Sequence, residues 1–62
     1  MLTIETAVAY LVHQNAGYAF ELIAATAGTL DGAPVVVVLF KVDGYTYDAT
    51  CWLEDGRVYG EW

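Results

Sequence analysis

The first fifteen residues have the hydrophobic spacing of an amphipathic helix. Apolar side chains recur at steps of three and four residues and share one stripe: Ile4, Ala7, Val8, Leu11 and Val12. Thr3 can cap this helix, Glu5 lies in its first turn, and Gly17 follows Asn15 where a left-handed terminus is expected. The pattern predicts a helix from about Ile4 to Asn15 whose apolar stripe packs on a sheet.

The remainder of the chain is typical of β-strands. Four segments are rich in β-branched and aromatic residues: Tyr18–Ala27, Val35–Val42, Tyr45–Leu53 and Arg57–Trp62. They are separated by three Asp-Gly pairs spaced twelve residues apart: Asp31-Gly32, Asp43-Gly44 and Asp55-Gly56. Asp-Gly favours a two-residue hairpin loop because both residues accept positive φ. The sequence predicts one α+β domain over residues 1–62, in which an N-terminal helix packs on a four-stranded antiparallel meander (αββββ).

The two later hairpins agree on which face of the sheet is buried. A loop at Asp43-Gly44 puts four apolar pairs on one face: Val36 with Cys51, Val38 with Ala49, Phe40 with Tyr47 and Val42 with Tyr45. A loop at Asp55-Gly56 extends that face: Leu53 with Val58, Cys51 with Gly60 and Ala49 with Trp62. On the opposite face Trp52 meets Tyr59, and Glu54 meets Arg57. Agreement between two independent loops supports both registers.

The first hairpin leaves two registers open. A two-residue loop at Asp31-Gly32 with a regular ladder places Ile23 beside Phe40 but turns Glu21 toward the core. An odd-length loop, or a bulge within Gly28–Pro34, instead turns three apolar residues inward: Tyr18, Phe20 and Leu22. We favour the second arrangement because it keeps a carboxylate out of the core.

Size and composition exclude several protein classes. A 62-residue chain buries only about 60% of its unfolded surface, which leaves little room for an enclosed active site. The single Cys51 precludes an internal disulfide and favours a reducing compartment. The longest unbroken apolar run, Val35–Phe40, is far shorter than the roughly 20 residues of a transmembrane helix, and no basic region marks a signal peptide. We expect a cytoplasmic protein.

The charge balance bears on the choice of partner. Eight acidic residues against Lys41 and Arg57 give a net charge of −6. This charge repels the phosphates of nucleic acids and anionic lipids, so we expect no direct nucleic-acid binding and no membrane binding. Net charge also keeps a small apolar domain soluble. Binding and solubility both explain the acidic residues at this stage.

No residue pattern indicates catalysis. His13 is the only histidine and lies far in sequence from Cys51, so neither zinc binding nor thiol catalysis has supporting spacing. Cys51 is expected to pack in the core opposite Gly60. Asp48 and Glu61 come near one another on the open sheet face, which offers no cleft of the kind that acid-base catalysis needs. We predict a protein without enzymatic activity that binds no metal and no cofactor.

The outer sheet face is the predicted binding surface. It combines apolar residues with acids: Val35, Val37, Leu39, Trp52 and Tyr59 with Glu21, Asp48, Glu54 and Glu61. Exposed Trp and Tyr commonly anchor binding energy, while carboxylates steer a basic partner. The predicted partner-binding residues are Glu21, Asp48, Trp52, Glu54, Tyr59 and Glu61. The alternative is a homodimer that buries this face or pairs through an edge strand.

The acidic composition resembles that of small phage-encoded inhibitors of bacterial defence, including anti-CRISPR proteins and DNA mimics. The resemblance covers the whole chain and rests on eight carboxylates: Glu5, Glu21, Asp31, Asp43, Asp48, Glu54, Asp55 and Glu61. It implies a viral protein in the host cytoplasm that binds and blocks a basic, nucleic-acid-binding surface of a CRISPR-type effector complex. The alternative is a homodimeric structural or protein-interaction module with no inhibitory role.

Overall fold

The computed structural model describes residues Met1 to Trp62. It contains one helix and four strands: α1 (Ile4–Gln14), β1 (Phe20–Leu30), β2 (Ala33–Val42), β3 (Tyr45–Glu54) and β4 (Arg57–Glu61). The strands form one antiparallel sheet in the order β1-β2-β3-β4. Helix α1 packs on the inner face of this sheet and leaves the outer face uncovered. The predicted αββββ meander is confirmed.

Side-chain hydrogen bonds close both ends of α1. Thr3 Oγ1 accepts a hydrogen bond from the Thr6 N–H at 3.1 Å, and Thr6 Oγ1 accepts one from the Thr3 N–H at 3.0 Å. This reciprocal pair is a capping box. At the other end, Asn15 Nδ2 donates to the carbonyl oxygen four residues before it, at 2.8 Å. Asn15 is the cap, so the helix ends at Gln14, one residue earlier than predicted.

All three Asp-Gly pairs form two-residue loops, as predicted for the second and third hairpins. The φ angles of Asp31, Asp43 and Asp55 are 51°, 50° and 52°, and the φ angle of the glycine after each aspartate is also positive. The ladders beside the second and third loops follow the predicted registers: Val36 with Cys51, Val38 with Ala49, Phe40 with Tyr47, Val42 with Tyr45, Leu53 with Val58 and Cys51 with Gly60. The Asp-Gly loops and the alternation of apolar side chains therefore determine the registers of β2, β3 and β4.

One predicted pair in the last hairpin is wrong. Trp62 does not continue the ladder opposite Ala49, because β4 ends at Glu61. The indole of Trp62 instead lies edge-on to two rings on the inner side of the sheet, with centroid distances of 6.3 Å to both Tyr10 and Phe40. Aromatic rings favour this edge-to-face contact. Trp62 thus contacts rings on the inner side of the sheet while remaining 48% exposed.

The first hairpin has both a two-residue loop and a bulge, which the sequence analysis had treated as alternatives. Its loop has two residues, with Leu30 opposite Ala33, so the odd-length loop is wrong. A bulge is present, but it lies at Ile23 and not within Gly28–Pro34. The bulge adds one residue to β1 and reverses the facing of every residue before it. A regular two-residue loop and an outward-facing Glu21 are therefore compatible.

The bulge decides which residues of early β1 face the core. Phe20 lies opposite Val42 and stacks on Phe40 with ring centroids 5.2 Å apart, as an inward-facing residue should. Leu22 shares the inner face, whereas Glu21 pairs with Lys41 on the outer face. The prediction that Tyr18 also turns inward is wrong. Tyr18 precedes β1, and its side chain is exposed.

The core lies between α1 and the centre of the sheet. Seven buried residues form it: Ala7, Leu11, Val36, Val38, Phe40, Ala49 and Cys51. The 11-residue α1 is about 16 Å long, roughly half the length of a ten-residue strand. The helix therefore covers the middle of the inner face but not its ends. Tyr45, predicted to face inward, sits beside a loop and remains exposed for this reason.

Candidate functional site

An aromatic pair stands on the outer face where β3 and β4 run side by side. Trp52 lies directly opposite Tyr59, and their rings stack with centroids 6.3 Å apart and planes 24° apart. Trp52 is half-buried, while Tyr59 is 39% exposed. Val37 and Leu39, on the neighbouring β2, are 42% and 38% exposed on the same face. These side chains form a continuous apolar surface that no element of the chain covers.

Four acidic residues share this face with the aromatic pair. Their cross-strand neighbours place them: Glu21 opposite Lys41, Asp48 opposite Leu39, Glu54 opposite Arg57 and Glu61 opposite Thr50. All four are exposed. Asp48 and Glu61 are diagonal neighbours, because Asp48 lies two positions before Thr50 along β3. The fold thus brings all six predicted binding residues onto one surface. Glu54 and Glu61 flank the aromatic pair, whereas Asp48 and Glu21 lie farther toward the other end of the sheet.

Val35 departs from its predicted position as an exposed outer-face residue. It is only 7% exposed, and with Trp52 it lines a cleft at the end of the sheet. The cleft has a volume of about 520 Å³ and a largely apolar wall: Met1, Leu2, Leu30, Asp31, Ala33, Pro34, Val35, Trp52 and Leu53. This volume is within the range of about 300–1,000 Å³ usual for ligand clefts. Trp52 therefore belongs to both the outer face and the cleft.

Sequence reasoning missed this cleft. Its wall comes from the segment before α1, from both sides of the first loop and from the end of β3. Seven of the nine wall residues are hydrophobic, and no motif marks them as a group. One feature of the sequence could have indicated part of the cleft. The antiparallel strand order places the first and third Asp-Gly loops at the same end of the sheet. The start of α1 is brought to that end only by packing.

His13 and Cys51 lie apart from this surface. His13 is exposed in the last turn of α1. Cys51 is fully buried beneath the helix, opposite Gly60, as predicted. Burial raises the pKa of the Cys51 thiol because the thiolate would lose its hydration. A buried thiol with a raised pKa is inert at neutral pH.

Two further properties of the molecule bear on function. No group of three or more His, Cys, Asp or Glu side chains is placed to hold a metal ion. No helix has the length and apolarity needed to cross a bilayer.

Comparison with known proteins identified no relative of this chain. No protein-family model, no curated protein and no solved structure matches this chain.

Proposed function

We propose that this protein is a small non-catalytic binding module that occupies a basic surface of a partner protein through its outer sheet face. The observation that carries the proposal is the stacked Trp52 and Tyr59 pair, which lies partly exposed on an outer face that also carries four carboxylates. Partly exposed Trp and Tyr side chains of this kind commonly anchor protein interfaces. The cleft next to Trp52 adds a recess for an apolar side chain of that partner.

Aromatic residues supply the affinity in this proposal. Trp and Tyr are enriched among residues whose truncation costs about 2 kcal/mol or more of binding energy. Trp52 and Tyr59 already stack on each other across two strands, so little side-chain freedom remains to be lost on binding. Val37 and Leu39 extend the apolar contact without charge. The partner contact is therefore centred on β2 and β3.

Carboxylates supply the choice of partner. Glu21, Asp48, Glu54 and Glu61 surround the apolar centre, and the molecule as a whole carries a charge of −6. Such a surface attracts a basic protein surface and repels nucleic acid. The partner class that we propose is the nucleic-acid-binding groove of a bacterial defence complex of the CRISPR type. The carboxylates would replace the phosphates that this groove normally binds.

The test uses purified CRISPR effector complexes and fluorescently labelled target DNA. Added protein is expected to lower DNA binding, measured by fluorescence anisotropy, and the inhibition is expected to weaken as NaCl rises. Asp48→Asn with Glu61→Gln should weaken inhibition about tenfold or more, and so should Trp52→Ala. Glu5→Lys is the matched control, since it raises the net charge by the same two units but lies on α1.

Two results would contradict the proposal. The first is that the wild-type protein inhibits no effector complex. The second is that inhibition persists unchanged in both outer-face variants and in high salt. Circular dichroism of each variant is the control for folding. In a variant that keeps the fold, a loss of inhibition is attributed to the changed surface residue.

A second candidate function is a homodimeric structural module closed through the same face. One observation favours it: both basic residues, Lys41 and Arg57, lie on the outer face near opposite ends of the sheet. A second copy packed face to face with antiparallel strands would bring each cation near acids of the other copy. Ion pairs of this kind weaken in salt. A dimer that dissociates on addition of NaCl, and on Trp52→Ala, is the expected sign of this arrangement.

A further inference from the structure

The sheet has two free edges of different character. The β4 edge is short, and it begins with Arg57 and ends with Glu61. The β1 edge runs over eleven residues, and no charged residue or proline occurs in it after Glu21. Nine of those eleven residues are exposed. Natural edge strands are usually protected from pairing by charge, proline, a bulge or shortness, and the part of β1 after Ile23 lacks all four.

The unpaired backbone groups of β1 can be assigned from the ladder. A two-residue loop makes Leu30 and Ala33 a hydrogen-bonded pair. Bonded and non-bonded pairs alternate in an antiparallel ladder, so the next bonded residues of β1 are Gly28 and Thr26. The residues that alternate with these bonded residues direct both N–H and C=O away from β2: Ala25, Ala27 and Thr29. These three residues form the unpaired edge.

We infer that the β1 edges of two copies of this protein pair antiparallel about a two-fold axis at Ala27. In this register Ala27 lies opposite Ala27 of the second copy, and Ala25 lies opposite Thr29. Three bonded pairs would then contribute about six backbone hydrogen bonds. The two four-stranded sheets would join into one. The bulge at Ile23 lies outside the paired segment and does not disturb it.

A second copy fits this edge because the uncharged strand is where two acidic chains repel each other least. Two chains of charge −6 repel each other over most of their surfaces, and the uncharged β1 edge lets them approach without opposed carboxylates. In the Ala27-centred register, Asp31 lies beside Ile23 of the second copy, and Glu21 lies beyond that copy's loop. A basic partner, by contrast, would gain no ion pair from this edge. The side chains that meet across the axis are small, so they do not hinder the pairing.

Edge pairing is independent of the proposed function. It covers neither Trp52 nor Tyr59, and it sets two outer faces side by side in one sheet. It also has the opposite salt dependence. Added salt screens the repulsion between two acidic chains and should strengthen the dimer, whereas it should weaken binding to a basic partner.

The first test is sedimentation velocity of the full chain over a range of concentrations. A monomer–dimer equilibrium is expected, with tighter association in about 0.5 M NaCl than in about 0.05 M NaCl. Ala27→Lys places two like charges opposite each other on the axis and should weaken dimerisation about tenfold or more. Ala9→Lys, the same substitution at an exposed position of α1, should change it less than about twofold.

The second test is amide hydrogen exchange measured residue by residue. The N–H groups of Ala25, Ala27 and Thr29 are expected to exchange more slowly at high protein concentration than at low concentration. A chain that stays monomeric at about 1 mM in high salt overturns the inference and leaves partner binding untouched. A dimer that resists Ala27→Lys but dissociates on Trp52→Ala also overturns it, because that dimer closes through the outer face.

Discussion

Asp31, Asp43 and Asp55 share a left-handed φ near 50°, but their side chains differ in what they contact. Asp43 Oδ1 accepts a hydrogen bond from the Ala19 N–H at 3.0 Å, and the Asp43 N–H donates to the Ala19 carbonyl at 2.9 Å. This pair of bonds fastens the segment after α1 to the second loop. Aspartate at this position therefore both forms the turn and joins helix to sheet.

Replacing Asp43 by Ala should lower the free energy of unfolding by about 2 kcal/mol, because a hydrogen bond is lost and alanine is strained at positive φ. Asp55→Ala introduces only the strain of alanine at positive φ and should lower the free energy of unfolding by about 1 kcal/mol. Asp43→Asn keeps both the acceptor and the tolerance of positive φ, so it should change stability little. Urea unfolding measures all three. Equal losses for the two alanine variants would show that the Ala19 bond contributes nothing.

Packing of α1 against β4 depends on the absence of one side chain. A Cβ placed on Gly60 would lie 2.9 Å from Tyr10 Cε2 and 3.3 Å from Cys51 Sγ. Tyr10 lies on α1, and Cys51 is buried in β3, so neither is free to move far. Gly60 thus sets how closely the helix approaches the sheet. Gly28, in β1, has nothing within 4 Å of the same position.

Gly60→Ala is expected to lower the free energy of unfolding by about 1–3 kcal/mol through overpacking. Gly28→Ala is the matched control and should leave stability unchanged or raise it by about 0.5 kcal/mol, because it restricts only the unfolded chain. The double variant Tyr10→Ala with Gly60→Ala should lose less than the sum of the two single losses. Thermal and urea unfolding report these differences. Additive losses would mean that the Tyr10 ring does not restrict position 60.

At the scale of the whole molecule, few residues are buried and the net charge is high. The accessible surface is 4304 Å², somewhat above the roughly 3,950 Å² expected for a folded chain of this mass. Only eight of the 62 residues are buried, and all eight are apolar. Eight carboxylates against two cations add repulsion within this small fold. Stability therefore rests on a compact core that opposes a general electrostatic penalty.

The free energy of unfolding should rise by up to about 1 kcal/mol as NaCl increases from about 0.01 M to 0.3 M, because salt screens the repulsion among the acids. The variant Asp48→Asn with Glu61→Gln carries two fewer negative charges and should gain less from the same salt. Urea unfolding at fixed protein concentration measures both. A fall in stability with salt would show instead that specific ion pairs outweigh the general repulsion.

Local chemistry in the sequence determined the elements of this protein. Three local features fix where the helix and strands lie: the capping residue Thr3, the three Asp-Gly loops, and the alternation of apolar residues along β2 and β3. Each acts over a few residues. For the same reason the outer-face positions of Trp52, Tyr59, Asp48, Glu54 and Glu61 followed from register alone, whereas the position of Glu21 depended on the bulge. A two-residue loop sets which face every later residue takes.

Only the tertiary structure decided the features that depend on distant parts of the chain. The bulge at Ile23 forms where β1 must turn Phe20 onto Phe40 and keep Glu21 outside, and nothing local in the sequence marks that position. Trp62 lies outside the ladder and meets the rings of Tyr10 and Phe40, which are remote in sequence. The cleft beside Trp52 forms because packing brings the segment before α1 to the first loop and the end of β3. Packing between elements remote in sequence fixes these positions, and no short pattern encodes it.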